Sequence, residues 1–232
     1  MRLEPANVFH YFEIMQKNTS EINVSSRRKA NTKSKLIRAA ERLFAENGLG
    51  AVSVRDITRA AGARNESALH YHFGSKKALI RAVFANRIQE IDSKRLALLA
   101  EIDRAGESDN VVRVMEATIA PMLEACHEEE GRLYATFLMQ IRADPRFDVD
   151  RLVDDLVPTG ARSVSERLNR LLSDLPRETA QTRKRRLLTL CISMMADHAH
   201  EVAGGMAPSL DWAIAEAASS LAGYLTSEPG GS

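Results

Sequence analysis

The 232-residue chain has two cysteines, Cys126 and Cys191, 65 positions apart with no further cysteine near either. That spacing fits neither a disulfide framework nor a zinc site, so two buried thiols are expected. Proline is scarce at 7 residues and aromatics make up only 5% of the chain, which leaves room for long helices. No segment shows strand-type alternation, and no apolar run reaches the roughly 18 residues of a membrane span. The opening MRLEPANVFHYFEIMQKNTSEIN lacks a basic start, an apolar block and a small-residue cleavage site. It does not read as a secretory signal, and a cytoplasmic protein is the expectation. Also missing are a GxSxG elbow, a GxGxxG turn after a strand, a GxxxxGK loop and an HExxH pair. No catalytic residue, cofactor or metal is expected.

What the chain does have is charge, unevenly placed. Its formal net charge is only +1, yet residues 27–81 hold 13 Lys/Arg against 4 Asp/Glu, whereas residues 82–232 hold 17 against 24. A compact basic segment joined to an acidic body is the electrostatic footprint of a polyanion-binding module on a carrier that does not itself bind polyanions.

Good helix formers dominate, and apolar spacing predicts an all-α chain of about nine to ten helices. A first helix follows Thr32, read as its N-cap, with Leu36, Ile37, Ala40, Leu43 and Phe44 on one stripe and Asn47-Gly48 as its stop. A second opens at Ser53, where Asp56 completes a capping box, and stops at Gly62. A third runs from about Glu66 to Phe73, and Ser75 caps a longer fourth. Two short helices around a tight glycine turn, buttressed by a longer one, form a helix-turn-helix. Further helices are predicted after Asp109 with a kink at Pro121, over 131–144, in shorter pieces at 148–157 and 160–174, and in two long final segments, 178–203 and 210–225.

The stretch GARNESALHYHFGSK at 62–76 concentrates the functional question. On a helix, Leu69 and Phe73 share one face with His72 beside them, while Ser67, His70 and Tyr71 cluster on the other. Positions two apart are not neighbours on a helix, so His70 and His72 cannot share a metal, and His72 reads as a core-edge residue. Ser67, His70 and Tyr71 are left for an exposed face, with Arg64 and Asn65 at the helix's amino end and Lys76 just past its stop. Polar and aromatic groups so placed suit phosphates and base edges. Glu66 is read as a cap rather than a reader of cytosine.

RAAERLFAENG at 38–48, SVRDITRAAG at 53–62 and ALHYHFGSKKALIRAVF at 68–84 resemble the TetR family of bacterial transcription regulators. By that resemblance Tyr71 and Lys76 would contact phosphates, Ser53 and Arg55 the DNA backbone, and Asn65, Ser67 and His70 the base edges. Two departures stand out: the turn Ala63-Arg64-Asn65-Glu66 is one residue longer than usual, and His70 occupies a position where the family commonly has tyrosine. The resemblance divides the chain into an N-terminal extension of unknown role at 1–26, a DNA-binding domain at 27–81 and a ligand-binding and dimerisation domain at 82–226, and the Gly- and Ser-rich stretch at 227–232 reads as a disordered tail. It implies a homodimer paired through the last two long helices, a double-stranded and palindromic DNA operator as partner, and repression relieved by a small apolar or amphipathic effector. Apolar residues at Leu187, Leu188, Leu190, Cys191, Met194 and Met195, and at Trp212, Ile214, Ala218, Leu221 and Leu225, supply faces for such pairing. Met115, Met122, Phe137, Met139 and Met195 are the candidates for lining an adaptable apolar cavity.

Two rival readings belong to other classes. One is a helical protein that binds a ligand or partner but not DNA. The other is a metalloenzyme built on Asp197-His198-Ala199-His200-Glu201, disfavoured because His198 and His200 diverge by about 200° around a helix.

Overall fold

Glycine and proline punctuate the chain where helices stop. The computed structural model describes residues 29–63, 65–147 and 159–228. The expected extension at 1–26, the piece at 148–157, Arg64 and most of the tail lie outside the described residues. Nine helices and no strand occur among the described residues: α1 over 29–47, α2 Val54–Ala60, α3 Ser67–Phe73, α4 Lys76–Arg104, α5 Val111–Ala125, α6 Glu129–Ala143, α7 Thr159–Leu171, α8 Arg177–Ala203 and α9 Leu210–Thr226. Two of the expected N-caps differ, and α6 opens at Glu129 rather than Gly131. Thr32 lies inside α1, which is already helical at Lys29, so it does not cap that helix. Asn110 rather than Asp109 caps α5, its side chain accepting from Val112 N at 3.1 Å and Arg113 N at 3.3 Å. Those two amides are within reach of a short amide side chain only from the position adjoining the helix. Pro121 does not end α5, which continues to Ala125.

The described residues fall into two compact units. In the first, made of residues up to Ala40 together with Ser53–Leu79, the core gathers Leu36 and Ala40 of α1, Ile57 of α2, Leu69 of α3 and Leu79, each fully buried. These are the apolar positions that the helical spacing singles out.

The second unit comprises Glu41–Val52 and the chain from Ile80 onward. Within it α9 packs along α5, and α6 packs against α8. Phe44, Phe137 and Tyr134 form a stacked aromatic run, with ring centroids 6.2 and 6.0 Å apart. Gly131 of α6 sits so close to the end of α5 that a Cβ there would lie 1.7 Å from the carbonyl oxygen of Ala125. Most of the apolar residues expected to pair across a dimer, including Leu187, Cys191, Met195, Ala218, Leu221 and Leu225, are buried in this unit's own core. The reason is that α9 buries its apolar stripe on α5, leaving Trp212, Ala215, Glu216, Ser219, Ser220 and Gly223 exposed. Among the described residues no helix is long and apolar enough to cross a membrane.

Candidate nucleic-acid interface and apolar cavity

In the first unit the capping box at Ser53 is formed in both directions. Asp56 N donates to Ser53 Oγ at 3.1 Å, and Ser53 N donates to the Asp56 carboxylate at 3.0 Å. The Ser53 hydroxyl and then its amide, both donating to Asp56, hold that carboxyl below the usual carboxylate range. The box fixes where α2 begins, and with it the exposed side chains of Ser53 and Arg55 at its amino end.

Gly62, at φ +65°, turns the chain toward α3. A positive φ of that size strains a residue with a Cβ, so the turn needs glycine. Leu69 anchors α3 in the core, and the helix thereby presents Ser67, His70 and Tyr71 to solvent, with Asn65 exposed just before it. Among the described residues of this unit Tyr71 is the most exposed large apolar side chain, at 67%, and the Lys29 ammonium lies 5.7 Å from its ring centroid. Nδ1 of His70 is 3.1 Å from the carbonyl oxygen of Gly74. A carbonyl only accepts, so Nδ1 carries the proton of the neutral ring and Nε2 remains an acceptor. Ser67 Oγ donates to Asn65 Oδ1. Lys76 opens α4 and is half-buried.

His72 is half-buried and meets the Tyr71 ring edge-on at 5.1 Å. Burial, then the nearby Lys33 and Lys29, push its pKa below that of an ordinary histidine. Glu66 occupies the N-cap position of α3 but makes no capping bond, because its backbone is already helical at φ −66° and ψ −21°. The reading of its carboxylate as a cap is therefore corrected. Among the described residues no group of three His, Cys, Asp or Glu side chains is placed to hold a metal ion.

The second unit contains a cavity of about 210 Å³ between α4, α5, α6, α7 and α8. Phe84, Ile88, Ile91, Leu138, Val164, Leu168, Leu187 and Ile192 give it an apolar wall. Tyr134 also lines it, its hydroxyl donating to the carbonyl of Phe84 at 3.2 Å. Cys191 completes one side, with burial pushing its thiol up to about 12. Among the polar side chains of the wall is Arg95, which is 4% exposed. Its Nη1 donates to Asp92 Oδ1 at 3.0 Å and its Nη2 to the carbonyl of Thr118 at 3.3 Å. Asp92 in turn accepts from the amides of Gly160 at 2.7 Å and Ala161 at 2.9 Å, so it also caps the first turn of α7.

Two family models match the chain: that of the bacterial regulatory proteins of the tetR family over residues 36–83, and that of the tetracyclin repressor-like C-terminal domain over residues 116–223. The chain belongs to the TetR family of transcriptional regulators. A curated TetR relative, the HTH-type transcriptional repressor KstR2 of Rhodococcus jostii (strain RHA1), is 28% identical over 119 residues. That match takes in 51% of this chain and spans only about half of the relative's length, 56%. Among solved structures, the fatty acid degradation regulator FadR from Bacillus halodurans superposes with a TM-score of 0.56 at 12% identity, covering 82% of this chain and 97% of the other. NalD, the secondary repressor of the MexAB-OprM multidrug efflux pump in Pseudomonas aeruginosa, gives 0.52 at 20% identity, covering 83% and 96%. Both likenesses concern the fold.

Of the five side chains proposed for the cavity of this TetR chain, only Met122 lines it. Met115, Phe137 and Met195 are fully buried core residues, and Met139 faces solvent. Arg95 and Asp92 were passed over, because an acid and a base three apart on a helix ordinarily form a solvated surface pair. The signal that finds them is register: Ile88, Ile91, Asp92, Arg95, Leu99 and Ile102 recur at three- and four-residue steps, which puts both charges on the buried stripe of α4.

Proposed function

We propose that this TetR chain is a sequence-specific DNA-binding repressor that acts as a homodimer and leaves its operator when a small apolar or amphipathic molecule enters the cavity of the second unit. The observation that carries the reading is α3 itself: a rod held by Leu69, with Asn65, Ser67, His70 and Tyr71 exposed in the most basic part of the chain.

In this reading Tyr71 and Lys76 contact phosphates, Ser53 and Arg55 of α2 fix the register on the backbone, and Asn65, Ser67 and His70 face base edges, with Arg64 beside them. Nε2 of His70, left as an acceptor, suits an exocyclic amino group in the major groove. One such head reads a half-site, so two related by a two-fold axis read half-sites about 34–36 Å apart or a multiple of it. The exposed side of α9, with Ala215, Ser219 and Gly223 at four-residue steps, suits close approach of a second copy. An effector shifts the equilibrium only by its difference in affinity for the bound and released forms.

Selection of duplexes from random DNA by the purified protein tests the reading. A palindromic consensus is expected, with affinity that falls linearly against log salt. Recovery of no consensus, with retention independent of salt, rejects it and favours a helical protein that does not bind DNA.

A further inference from the structure

Between Glu21 and Glu41 the sequence has six Lys or Arg residues and no acid. Two of these cations stand against α3. The Lys29 ammonium lies 5.7 Å from the ring centroid of Tyr71, and the Lys33 ammonium 5.9 Å from that of Phe73. Both lysines are exposed, and after burial it is Lys33 and Lys29 that lower the pKa of His72, the residue between those two rings. Positions four apart share one side of a helix, so the pair forms a stripe on the first turns of α1, alongside the exposed rod. Lys35 and Arg38 of α1 are exposed at other angles around its axis. Like charges four apart on a helix repel, and a bound anion relieves that repulsion. A cation seated over an aromatic face is also partly fixed before any partner arrives, which lowers the entropy lost on contact.

We propose that the start of α1 is a further DNA-contacting element, in which Lys29 and the hydroxyl of Tyr71 converge on one phosphate and Lys33 meets the adjoining backbone. The proposal rests on the reading of α3 as the DNA-facing rod, and it extends the contact surface beyond α2, α3 and Lys76. A phenol donates one hydrogen bond to a phosphate oxygen, and an ammonium beside it adds charge-assisted donors to the same group. Such a contact carries no base identity. It therefore strengthens binding to every duplex and helps set the orientation in which α3 meets the groove.

The test uses the full chain and a mixed-sequence duplex, with affinity measured by anisotropy over a range of salt. Lys29→Gln and Lys33→Gln should each reduce the slope of log affinity against log salt by about one, and the double substitution by about two. Lys35→Gln removes the same charge from another side of the same helix and should change the slope much less. Lys29→Arg keeps the cation and its stacking, so it should retain the full slope. Tyr71→Phe keeps the ring but loses the hydroxyl. Combined with Lys29→Gln it should cost less than the sum of the two separate losses, because the two groups share one phosphate. The proposal is overturned if the double lysine variant keeps the full slope, if Lys35→Gln lowers it as much as Lys29→Gln or Lys33→Gln, or if the losses at Lys29 and Tyr71 simply add. Salt-dependent binding with an unchanged slope in the double variant rejects the contact by α1 and leaves the DNA-binding reading standing. An unaltered chain whose retention on DNA ignores salt rejects both.

Discussion

His198 shows how a single side chain ties stability to pH. It is 4% exposed, and neither ring nitrogen has a hydrogen-bond partner among the described residues. Burial, and then His127 with its ring 5.8 Å away, hold its pKa below that of an ordinary histidine, against the opposing pull of Glu201. The unfolded chain takes up a proton near pH 6.5 that the folded chain resists, so the contribution is complete at higher pH and is lost as pH falls below about 6.5. The urea midpoint should therefore drop between about pH 7.5 and 5.5, with His72 adding to the slope in the same sense, and His198→Leu should flatten part of it. A midpoint with the same pH dependence in both proteins contradicts this account. Gly131 offers a steric counterpart. A Cβ at 1.7 Å from the Ala125 carbonyl cannot be accommodated without separating the ends of α5 and α6. Gly131→Ala should cost about 3 kcal/mol or more in equilibrium unfolding. Sequence reading placed this glycine at the start of a helix, since nothing in the local pattern separates a helix-starting glycine from one demanded by close approach of a neighbouring backbone.

Among the helices, α2, α3 and the first turn of α4 carry the testable content of the DNA-binding reading. Lys76→Ala should weaken binding to all duplexes alike and reduce the slope of log affinity against log salt by about one. His70→Ala should instead alter the preferred base at one position, at a cost of about 1–3 kcal/mol on the selected site. Anisotropy titrations across salt and sequence separate the two patterns, and a His70 variant that loses affinity uniformly would refute its base-reading role. These helices were legible because their stops and starts are chemical: Ser53 and Asp56 close a reciprocal box, and Gly62 and Gly74 adopt positive φ. The start of α1 was less so. Thr32 is a competent cap by type, but helical propensity continues through it and the helix is already formed at Lys29. The class and order of the helices follow from local pattern, whereas the wall of the cavity depends on which faces of α4, α7 and α8 meet, and methionine content does not report that.

For the molecule as a whole, the proposed pairing makes a claim about mass and activity together. Ser219→Arg places a long cation in the middle of the open face of α9, away from the buried stripe of Ala218, Leu221 and Leu225. Sedimentation should find a dimer for the unaltered chain and a monomer for the variant, with operator affinity lost and far-UV circular dichroism unchanged. A variant that still sediments as a dimer would move the interface elsewhere. The division of charge between a basic segment and an acidic remainder was legible from the order of charges along the chain. Which apolar faces serve the interior was not, because α8 and α9 carry enough apolar residues for either use and only their packing on α5 and α6 assigns them. A different lesson comes from Asp92, whose one carboxylate grips both the guanidinium of Arg95 and the first two amides of α7. That shared grip makes the arginine and the start of α7 a single mechanical joint. A force on the guanidinium is thereby carried to the first turn of α7, and removing the Asp92 carboxylate frees both ends at once.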